Sequence, residues 1–290
     1  MDLSTHPDAA AWGHLVRRTP LVRRLLAHNP SPFTFTGTGT FVVGNGTVAV
    51  IDPGPADPAH IAALLGALAG ETVSHIVVTH THMDHSPAAP AVQSATGAAI
   101  VGCAALVLSD DGPRADAGFD PSYTPDRVMA EGDSISGPDW SLTAVATPGH
   151  TSNHLCFALA QEKALFTGDH VMGWSTTVVA PPDGDMADYM ASLRKLLTRD
   201  DAIYHPTHGE AVTDPQRFVR GLITHRKQRE TQILKLLGQG VAAIPAMVAA
   251  MYRQVDPRLH PAAGRSVLAH LIDLRTRGVV VDAGGGWRLV

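Results

Sequence analysis

A short apolar run, Val73 to Thr79, leads directly into the segment His80-Thr81-His82-Met83-Asp84-His85. A run of this length and composition is typical of a strand that is covered on both faces. The polar side chains that follow it are therefore expected on a loop at one edge of a sheet, where α/β proteins place binding and catalytic groups. The run predicts an α/β fold with a functional site at this edge.

Four of the six residues in this segment carry metal-ligand atoms. On an extended segment, residues 80, 82 and 84 share one side, and His85 faces the other way once the chain turns. One metal ion can then be held by His80 and His82, and a neighbouring ion by Asp84 and His85. Imidazole and carboxylate suit Zn²⁺, and also Fe, Mn or Co. The alternative, a polar loop that contains three histidines by chance, is disfavoured because such groups are costly to bury without a ligand.

Further clusters of histidine and aspartate follow other predicted strands. Strands are predicted at Trp140 to Ala146, Ala164 to Phe166 and Ile203-Tyr204. They lead into Thr147-Pro148-Gly149-His150, Thr167-Gly168-Asp169-His170 and His208-Gly209. The composition, with 44% apolar and 17% charged residues in a chain of 290, is that of a globular enzyme and excludes general disorder.

Turn and helix signals divide the rest of this region. Asn45-Gly46 predicts a hairpin turn, and Asp57-Pro58 predicts the start of a helix. A helix is predicted from Ala9 to Leu26, a strand from Phe33, and an insert loop over residues 109 to 127, which are rich in Asp, Gly and Pro.

Five segments in this order resemble the metallo-β-lactamase superfamily, whose members are mostly hydrolases with an αββα sandwich. These segments are Asp52-Pro53-Gly54, His80 to His85, Thr147 to His150, Thr167 to Asp169, and Thr207-His208-Gly209. The resemblance covers residues from about 33 to 210, and several ordered motifs are far more specific than one.

The resemblance implies seven ligands for two divalent ions, Zn²⁺ first, with Fe or Mn as alternatives. Asp169 would bridge both ions. Such ions lie about 3.5–4 Å apart and repel each other, so a bridging carboxylate and a bridging hydroxide are needed between them. The ligands implied are His80, His82 and His150 for the first ion, and Asp84, His85 and His208 for the second.

The implied reaction is hydrolysis by the metal-bridging hydroxide, with Asp84 as a catalytic residue that takes a proton as the intermediate collapses. The chain has an aspartate at position 169 and no cysteine at a ligand position. In this it resembles the glyoxalase II, lactonase and nuclease-like branches rather than the antibiotic-hydrolysing members. Cys103 and Cys156 lie in apolar settings and are expected to be buried free thiols, which fits a reducing compartment.

The last 74 residues differ in charge and in pattern. From Arg217 onward, 12 Lys and Arg stand against 4 Asp and Glu, a net charge of +8, whereas residues 1–216 carry −13. Three helical segments, about 217–238, 244–253 and 263–277, precede a hairpin over residues 279–289. We therefore predict two domains, a hydrolase domain over 1–216 and a basic winged-helix-like domain over 217–290.

Together with Asn29 to Phe33 and Thr38 to Thr40, this C-terminal part resembles the β-lactamase-like protein 2 group, which includes a single-strand-specific endoribonuclease. In that context such domains cap the active site or mediate dimers more often than they bind DNA. A homodimer is therefore an expected arrangement.

Three functions remain open at this point. The first is hydrolysis of a small ester, thioester, lactone or amide. The second is cleavage of single-stranded RNA by a phosphodiesterase, which the net charge of −13 over residues 1–216 disfavours. The third is a nucleic-acid-binding regulator with a metal-bearing sensor domain, which the full set of seven ligands disfavours.

Substrate contacts are expected from the loop that follows Asp169, because it combines small and hydroxyl residues around one tryptophan. The candidates are His170, Trp174, Ser175 and Thr176. His154, four residues after His150, is expected to support a ligand. No segment has the ~18 to 20 apolar residues of a membrane span, and no signal peptide is apparent, so a cytoplasmic protein without a membrane partner is expected.

Overall fold

Two β-sheets lie face to face, and the strand that precedes the histidine cluster is in the middle of the first. The computed structural model describes residues 11–107 and 118–290. The first sheet has seven strands in sequence order: β1 (Leu15–Arg17), β2 (Val22–Leu26), β3 (Gly39–Val43), β4 (Thr47–Ile51), β5 (Thr72–Val78), β6 (Ala99–Gly102) and β7 (Arg127–Val128). Strands β1 to β4 pair antiparallel, and β4 to β7 pair parallel. Helix α1 (Pro58–Ala67) connects β4 to β5, and helix α2 (Ala89–Thr96) connects β5 to β6.

The second sheet has five strands in the order β12-β11-β10-β9-β8. They are β8 (Ser134–Ser136), β9 (Ser141–Ala146), β10 (Leu155–Leu159), β11 (Ala164–Gly168) and β12 (Ile203–Pro206). Only β11 and β12 pair parallel, and α3 (Met186–Leu196) connects them.

Alternation along β10 shows how the sheets build the core. Phe157 and Leu159 belong to the hydrophobic cluster shared with the first sheet and with α1 and α2. Cys156 belongs to the cluster on the opposite face, which contains Tyr189 and Leu193 of α3. Successive side chains of a strand point to opposite faces, so one strand contributes to both cores. The resulting order of layers, helices, sheet, sheet and helix, is the αββα sandwich that was predicted.

Three helices and a hairpin follow, as the sequence predicted. They are α4 (Pro215–Gly238), α5 (Ile244–Met251), α6 (His260–Thr276), β13 (Val280–Asp282) and β14 (Trp287–Leu289). They enclose a third cluster that includes Ile233, Met247, Leu271 and Trp287. The first turns of α4 and the middle of α6 pack instead against α3, through Val219, Leu222 and Ala269. The C-terminal helices thus contact the sandwich directly.

The helix predicted from Ala9 to Leu26 is wrong over the described residues, which form the β1–β2 hairpin. The amides of Arg18 and Thr19 both donate to the carbonyl oxygen of Val22 and close the turn (2.8 and 3.1 Å). Pro20 lies in that turn and lacks the amide hydrogen that a continuing helix needs. Ala9 and Ala10 lie outside the described residues.

Two loop predictions need similar comment. The strand expected from Phe33 is a turn, because the Ser31 hydroxyl oxygen accepts from the amides of Phe33 and Thr34 (3.1 and 3.0 Å). Residues 109–117 of the predicted insert loop over 109–127 lie outside the described residues, and residues 118–126 form no helix or named strand before β7. Cys103 and Cys156 are buried free thiols, as predicted. In the described part of the chain, no helix has the length and apolar character needed to cross a membrane.

Candidate metal centre

The loop after β5 carries four of the seven predicted ligands into a buried corner between the sheets. A turn closed by the amide of His85 on the carbonyl oxygen of His82 (2.9 Å) reverses the chain at Asp84. Loops at the ends of β9, β11 and β12 bring His150, Asp169 and His208 to the same place. All seven residues are at most 9% exposed, and their ligand atoms fall into two groups in which each atom lies within 4.8 Å of the others.

The first group consists of His80, His82, His150 and Asp169. Nδ1 of His82 lies 3.0 Å from Nε2 of His80 and 3.1 Å from Nε2 of His150. Oδ2 of Asp169 is 3.7 Å from Nε2 of His150. Three ring nitrogens and a carboxylate oxygen thus converge, which is a donor set suited to a divalent transition metal.

The second group consists of Asp84, His85 and His208. Oδ2 of Asp84 lies 3.4 Å from Nε2 of His85 and 3.2 Å from Nε2 of His208. Oδ1 of Asp169 lies 3.6 and 3.3 Å from the same two nitrogens. Asp169 therefore directs one oxygen toward each group.

Two buried polar atoms at the centre lack a hydrogen-bond partner in the described part of the chain, as is expected of atoms that bind a metal ion. Nε2 of His85 and Oδ1 of Asp169 are buried and have no hydrogen-bond partner among the described residues. A buried polar atom without a partner costs free energy, and buried charges are ordinarily paired or coordinate metals. The residues present therefore fit two divalent ions.

Electrostatics in the second group favour positive charge. Burial lowers the pKa of His208, but the carboxylates of Asp169 and Asp84 outweigh this effect and raise the pKa to about 9. The pKa of His85 lies well above its ordinary value, because the same two carboxylates outweigh its burial. In the first group, burial and then the neighbouring His85 and His82 hold the pKa of His80 well below its ordinary value. The carboxylates of the second group therefore favour positive charge at this place, and the imidazole of His80 stays neutral, as a ligand must be.

Asp52, at the end of β4, orients the loop that follows β5 through hydrogen bonds to Thr79 and His85. Its Oδ1 accepts from the amide of Thr79 (2.8 Å), and its Oδ2 accepts from the Thr79 hydroxyl (2.8 Å) and from Nδ1 of His85 (2.9 Å). The Thr207 hydroxyl, next to His208, also donates to this oxygen (3.3 Å). A histidine whose Nδ1 donates to a carboxylate presents Nε2 to the metal. Asp52 therefore fixes the orientation of His85 without lying in either group.

Other predicted ligands are held in the same way. Nδ1 of His150 donates to the carbonyl oxygen of Val178 (2.7 Å). The Thr38 hydroxyl donates to Oδ2 of Asp84 (2.8 Å). Nε2 of His154 accepts from the amide of Asp169 (3.2 Å), so His154 supports a predicted ligand, as expected. These contacts fix the directions of the ligand side chains.

Gly149, the residue before His150, shows why the chain needs glycine there. Its φ is +134°, and a Cβ would lie 2.3 Å from Cα of Tyr189 on α3. Only glycine tolerates both conditions. The close approach of this loop to α3 places His150 over the centre.

A cleft opens above the two groups and contains about 470 Å³ of free space, part of it open to solvent. Trp174, Ser175 and Thr176 line it, in the place predicted for substrate contacts. The predicted ligands at its floor are His82, Asp84, His150, Asp169 and His208.

His170 does not line the cleft, which corrects its assignment as a substrate contact. Its side chain is completely buried, and its ring packs edge-on against Tyr189 with centroids 4.9 Å apart. The turn closed by the amide of His170 on the carbonyl oxygen of Thr167 (3.0 Å) separates its environment from that of the preceding Asp169. Burial lowers the pKa of His170 to about 3, so it is neutral at physiological pH.

Sequence reasoning did not identify the opposite wall of the cleft. Pro32, Phe33 and Thr34 form it. The signal was present in the segment Asn29 to Phe33, which contributed to the family resemblance but was given no role. The ring of Trp174 stacks on Phe35, two residues after this segment, with centroids 4.8 Å apart. Trp174 thus packs against the chain that follows Thr34.

The order of motifs and the paired groups can be compared with known proteins. The sequence profile of the Metallo-beta-lactamase superfamily matches residues 34–208. The chain belongs to the metallo-β-lactamase superfamily. A second profile, the Beta-lactamase associated winged helix domain, matches residues 243–287, from α5 into β14. The superfamily and the winged helix predicted from the sequence are both confirmed.

Individual relatives in the superfamily agree. The chain is 32% identical over 278 residues to the "Beta-lactamase-like protein 2 homolog" of Drosophila melanogaster, covering 91% of each chain. It is 31% identical over 225 residues to the "Atrochrysone carboxyl ACP thioesterase" of Aspergillus fumigatus, covering 76% of this chain and 65% of that one. The chain covers 65% of this thioesterase, and 66% and 64% of two further relatives. It therefore spans just under two thirds of the length of these three proteins.

A solved structure gives the same fold. The Beta-lactamase domain protein from Burkholderia ambifaria superimposes with a TM-score of 0.78 at 20% identity, over 97% of this chain and 94% of that one. The superposition includes the C-terminal helices, so the metallo-β-lactamase sandwich followed by a winged helix is a shared architecture.

Proposed function

We propose that this metallo-β-lactamase superfamily protein is a hydrolase that uses two divalent metal ions, Zn²⁺ first, to cleave a small ester, thioester, lactone or amide. One observation carries the proposal. Seven buried imidazoles and carboxylates form two contiguous groups at the floor of an open cleft, and Asp169 directs one oxygen to each. Such a pair of groups is the arrangement of dinuclear hydrolytic sites.

When bound, two such ions lower the pKa of coordinated water toward neutrality and stabilise negative charge that develops on the substrate. The residues of the chain do the rest. Asp52 and the Val178 carbonyl hold the imidazoles of His85 and His150 in place. Asp84 lies on the cleft surface, and we assign it the further role of taking the proton that is released as the intermediate collapses.

The cleft lining favours an acyl substrate. Phe33, Met172 and Trp174 supply apolar surface, and the hydroxyl groups of Ser175 and Thr176 supply hydrogen-bonding groups. Pockets of this kind bind apolar groups and orient them through a few polar atoms. The Aspergillus fumigatus relative is named as a thioesterase that acts on an acyl carrier protein, which makes a thioester the first substrate class to test.

The test compares an aryl ester, an acyl thioester, nitrocefin, a bis-aryl phosphate and single-stranded RNA, each with and without a chelator. We expect chelator-sensitive hydrolysis of the thioester or ester, and loss of this activity in His82→Ala. If metal-replete protein with about two ions per chain turns over none of the five, the hydrolase proposal is wrong. Turnover of RNA alone, absent in His82→Ala, would replace it with a phosphodiesterase.

A further inference from the structure

Arg226 of α4 is a buried cation that contacts the loop after Asp169. Its side chain is 3% exposed, and its guanidinium lies over the ring of Tyr189, 5.1 Å from the centroid. Its Nη2 donates to the carbonyl oxygen of Thr177. Within the described residues no ion pair includes Arg226, and its Nε has no hydrogen-bond partner. Burying a guanidinium without a paired carboxylate is unfavourable. The contacts that Arg226 does make are therefore expected to have a structural role.

The residue that Arg226 holds is connected to a predicted metal ligand. The buried hydroxyl of Thr177 donates to the carbonyl oxygens of Asp169 (2.7 Å) and His170 (3.0 Å), sharing its hydrogen between them. Tyr189, whose ring lies under the Arg226 guanidinium, also donates from its hydroxyl to the carbonyl oxygen of His170 (3.2 Å). The peptide that carries Asp169 is thus fastened from the side of α3 and α4.

Val178, the residue after Thr177, is connected to a second predicted ligand, His150. The carbonyl oxygen of Val178 accepts from Nδ1 of His150 (2.7 Å). One dipeptide, Thr177-Val178, therefore orients two ligands that come from different loops. One of these is Asp169, whose oxygens face both groups. A shift of this dipeptide would move both ligands at once.

On the basis of these contacts, we infer that Arg226 is a positioning residue for the metal centre, acting through Thr177-Val178 on Asp169 and His150. This inference rests on the proposed two-metal function. It gives the helices after the sandwich a direct part in metal binding, because a charge on α4 sets the position of ligands on β-strand loops. Groups that orient metal ligands affect metal affinity, even though they do not touch the metal.

The experiment compares Arg226→Met with Arg220→Met. Arg220 lies on the same helix but is exposed, so the control makes the same chemical change away from the centre. Metal-free proteins are titrated with Zn²⁺ in competition with a chromophoric chelator. We expect Arg226→Met to bind Zn²⁺ about 10-fold more weakly, the lower end of the effect of removing groups that orient ligands. Arg220→Met is expected to bind as the wild type does.

Two further measurements separate positioning from a general loss of stability. Visible absorption of the Co²⁺-saturated protein reports ligand geometry, so its bands are expected to shift in Arg226→Met and not in Arg220→Met. Thr177→Val, which removes one hydroxyl and keeps the side-chain shape, is expected to weaken binding in the same direction. Its effect should not add to that of Arg226→Met, because both substitutions interrupt the same chain of contacts. Arg226→Lys is expected to restore part of the affinity.

Wild-type Zn²⁺ affinity and unchanged Co²⁺ bands in Arg226→Met would overturn the inference. If that variant does not fold, Thr177→Val decides by the same two measurements. The two proposals can fail separately. A wild-type protein that binds two ions but hydrolyses no substrate contradicts the proposed function alone, and normal metal binding in both variants of an active enzyme contradicts the role of Arg226 alone.

Discussion

Asp52 and His85, 33 residues apart, are joined by a hydrogen bond of 2.9 Å between Oδ2 and Nδ1. The backbone of Asp52 has a φ of +47°, which is uncommon for a residue other than glycine. The structure therefore maintains an unfavourable backbone conformation at the residue that also holds Thr79. Strained residues of this kind concentrate at functional sites.

Removing the charge of Asp52 is expected to weaken metal binding in the second group. In Asp52→Asn the amide oxygen can still accept from His85, but the negative charge that strengthens the imidazole as a ligand is lost. We expect about a 10-fold loss of affinity for one of two ions, measured by chelator competition. Asp139→Asn, an exposed substitution, serves as the control. Equal metal binding in the two variants would show that Asp52 has no such role.

The hydroxyl of Thr38 is expected to contribute both to stability and to activity. It donates to Asp84 and accepts from Nδ2 of Asn29 (2.9 Å), so Thr38→Val removes both hydrogen bonds. We expect the free energy of unfolding of the metal-free protein to fall by about 1–3 kcal/mol, together with a lower kcat. Urea unfolding and steady-state kinetics measure the two effects. Thr143→Val, on the partly exposed β9, should change neither.

Asp84→Asn tests the catalytic role that we propose. The substitution removes a charge that contacts His85 and His208 (3.4 and 3.2 Å) and removes the proposed proton acceptor. We expect kcat to fall by about 100-fold even in protein saturated with metal, with metal content measured on the same sample. A variant that retains both ions and full activity would rule out the catalytic role.

Substitutions of Trp174 and His170 are expected to affect different quantities, KM for Trp174 and the free energy of unfolding for His170. Trp174 lines the cleft, so Trp174→Ala is expected to raise KM about 10-fold with a smaller change in kcat. His170 is completely buried, so His170→Ala is expected to lower the free energy of unfolding by about 1–3 kcal/mol and to leave KM unchanged. Kinetics and urea unfolding on both variants test this pair. A higher KM in folded His170→Ala would restore His170 as a substrate contact.

His270 of α6 predicts a dependence of stability on pH away from the metal centre. Burial, followed by the charges of Arg226, His225, Arg277 and Arg229, lowers its pKa to about 3. As pH falls below 6.5, the unfolded chain takes up a proton before the folded protein does, so stability is lost between pH 6.5 and about 3. In His270→Leu we expect the free energy of unfolding to depend on pH less steeply, by up to about 1.4 kcal/mol per pH unit. Urea unfolding of the metal-free proteins from pH 4 to 7 measures this difference. Identical slopes would contradict it.

Much of the fold could be predicted because its signals are local. The apolar run before His80, the turn at Asn45-Gly46 and the helix start at Asp57 each depend on a few adjacent residues, and the structure has a strand, a turn and a capped helix there. The prediction failed between Leu15 and Leu26. That segment pairs with β3, and tertiary pairing of this kind overrides local propensity.

By itself, the sequence determined which residues could hold metal ions and at which strand ends they lie, because ligand chemistry depends on residue type and order. Only the tertiary structure decided how they are held. The hydrogen bonds from Thr38 to Asp84, from Arg226 to Thr177 and from His208 to Gly37 join residues 46, 49 and 171 positions apart. A periodic pattern indicates which face of an element is buried, but it does not indicate which distant group lies opposite. For that reason the buried position of His170 and the contact of Arg226 with the Thr177 peptide emerged only from the folded chain.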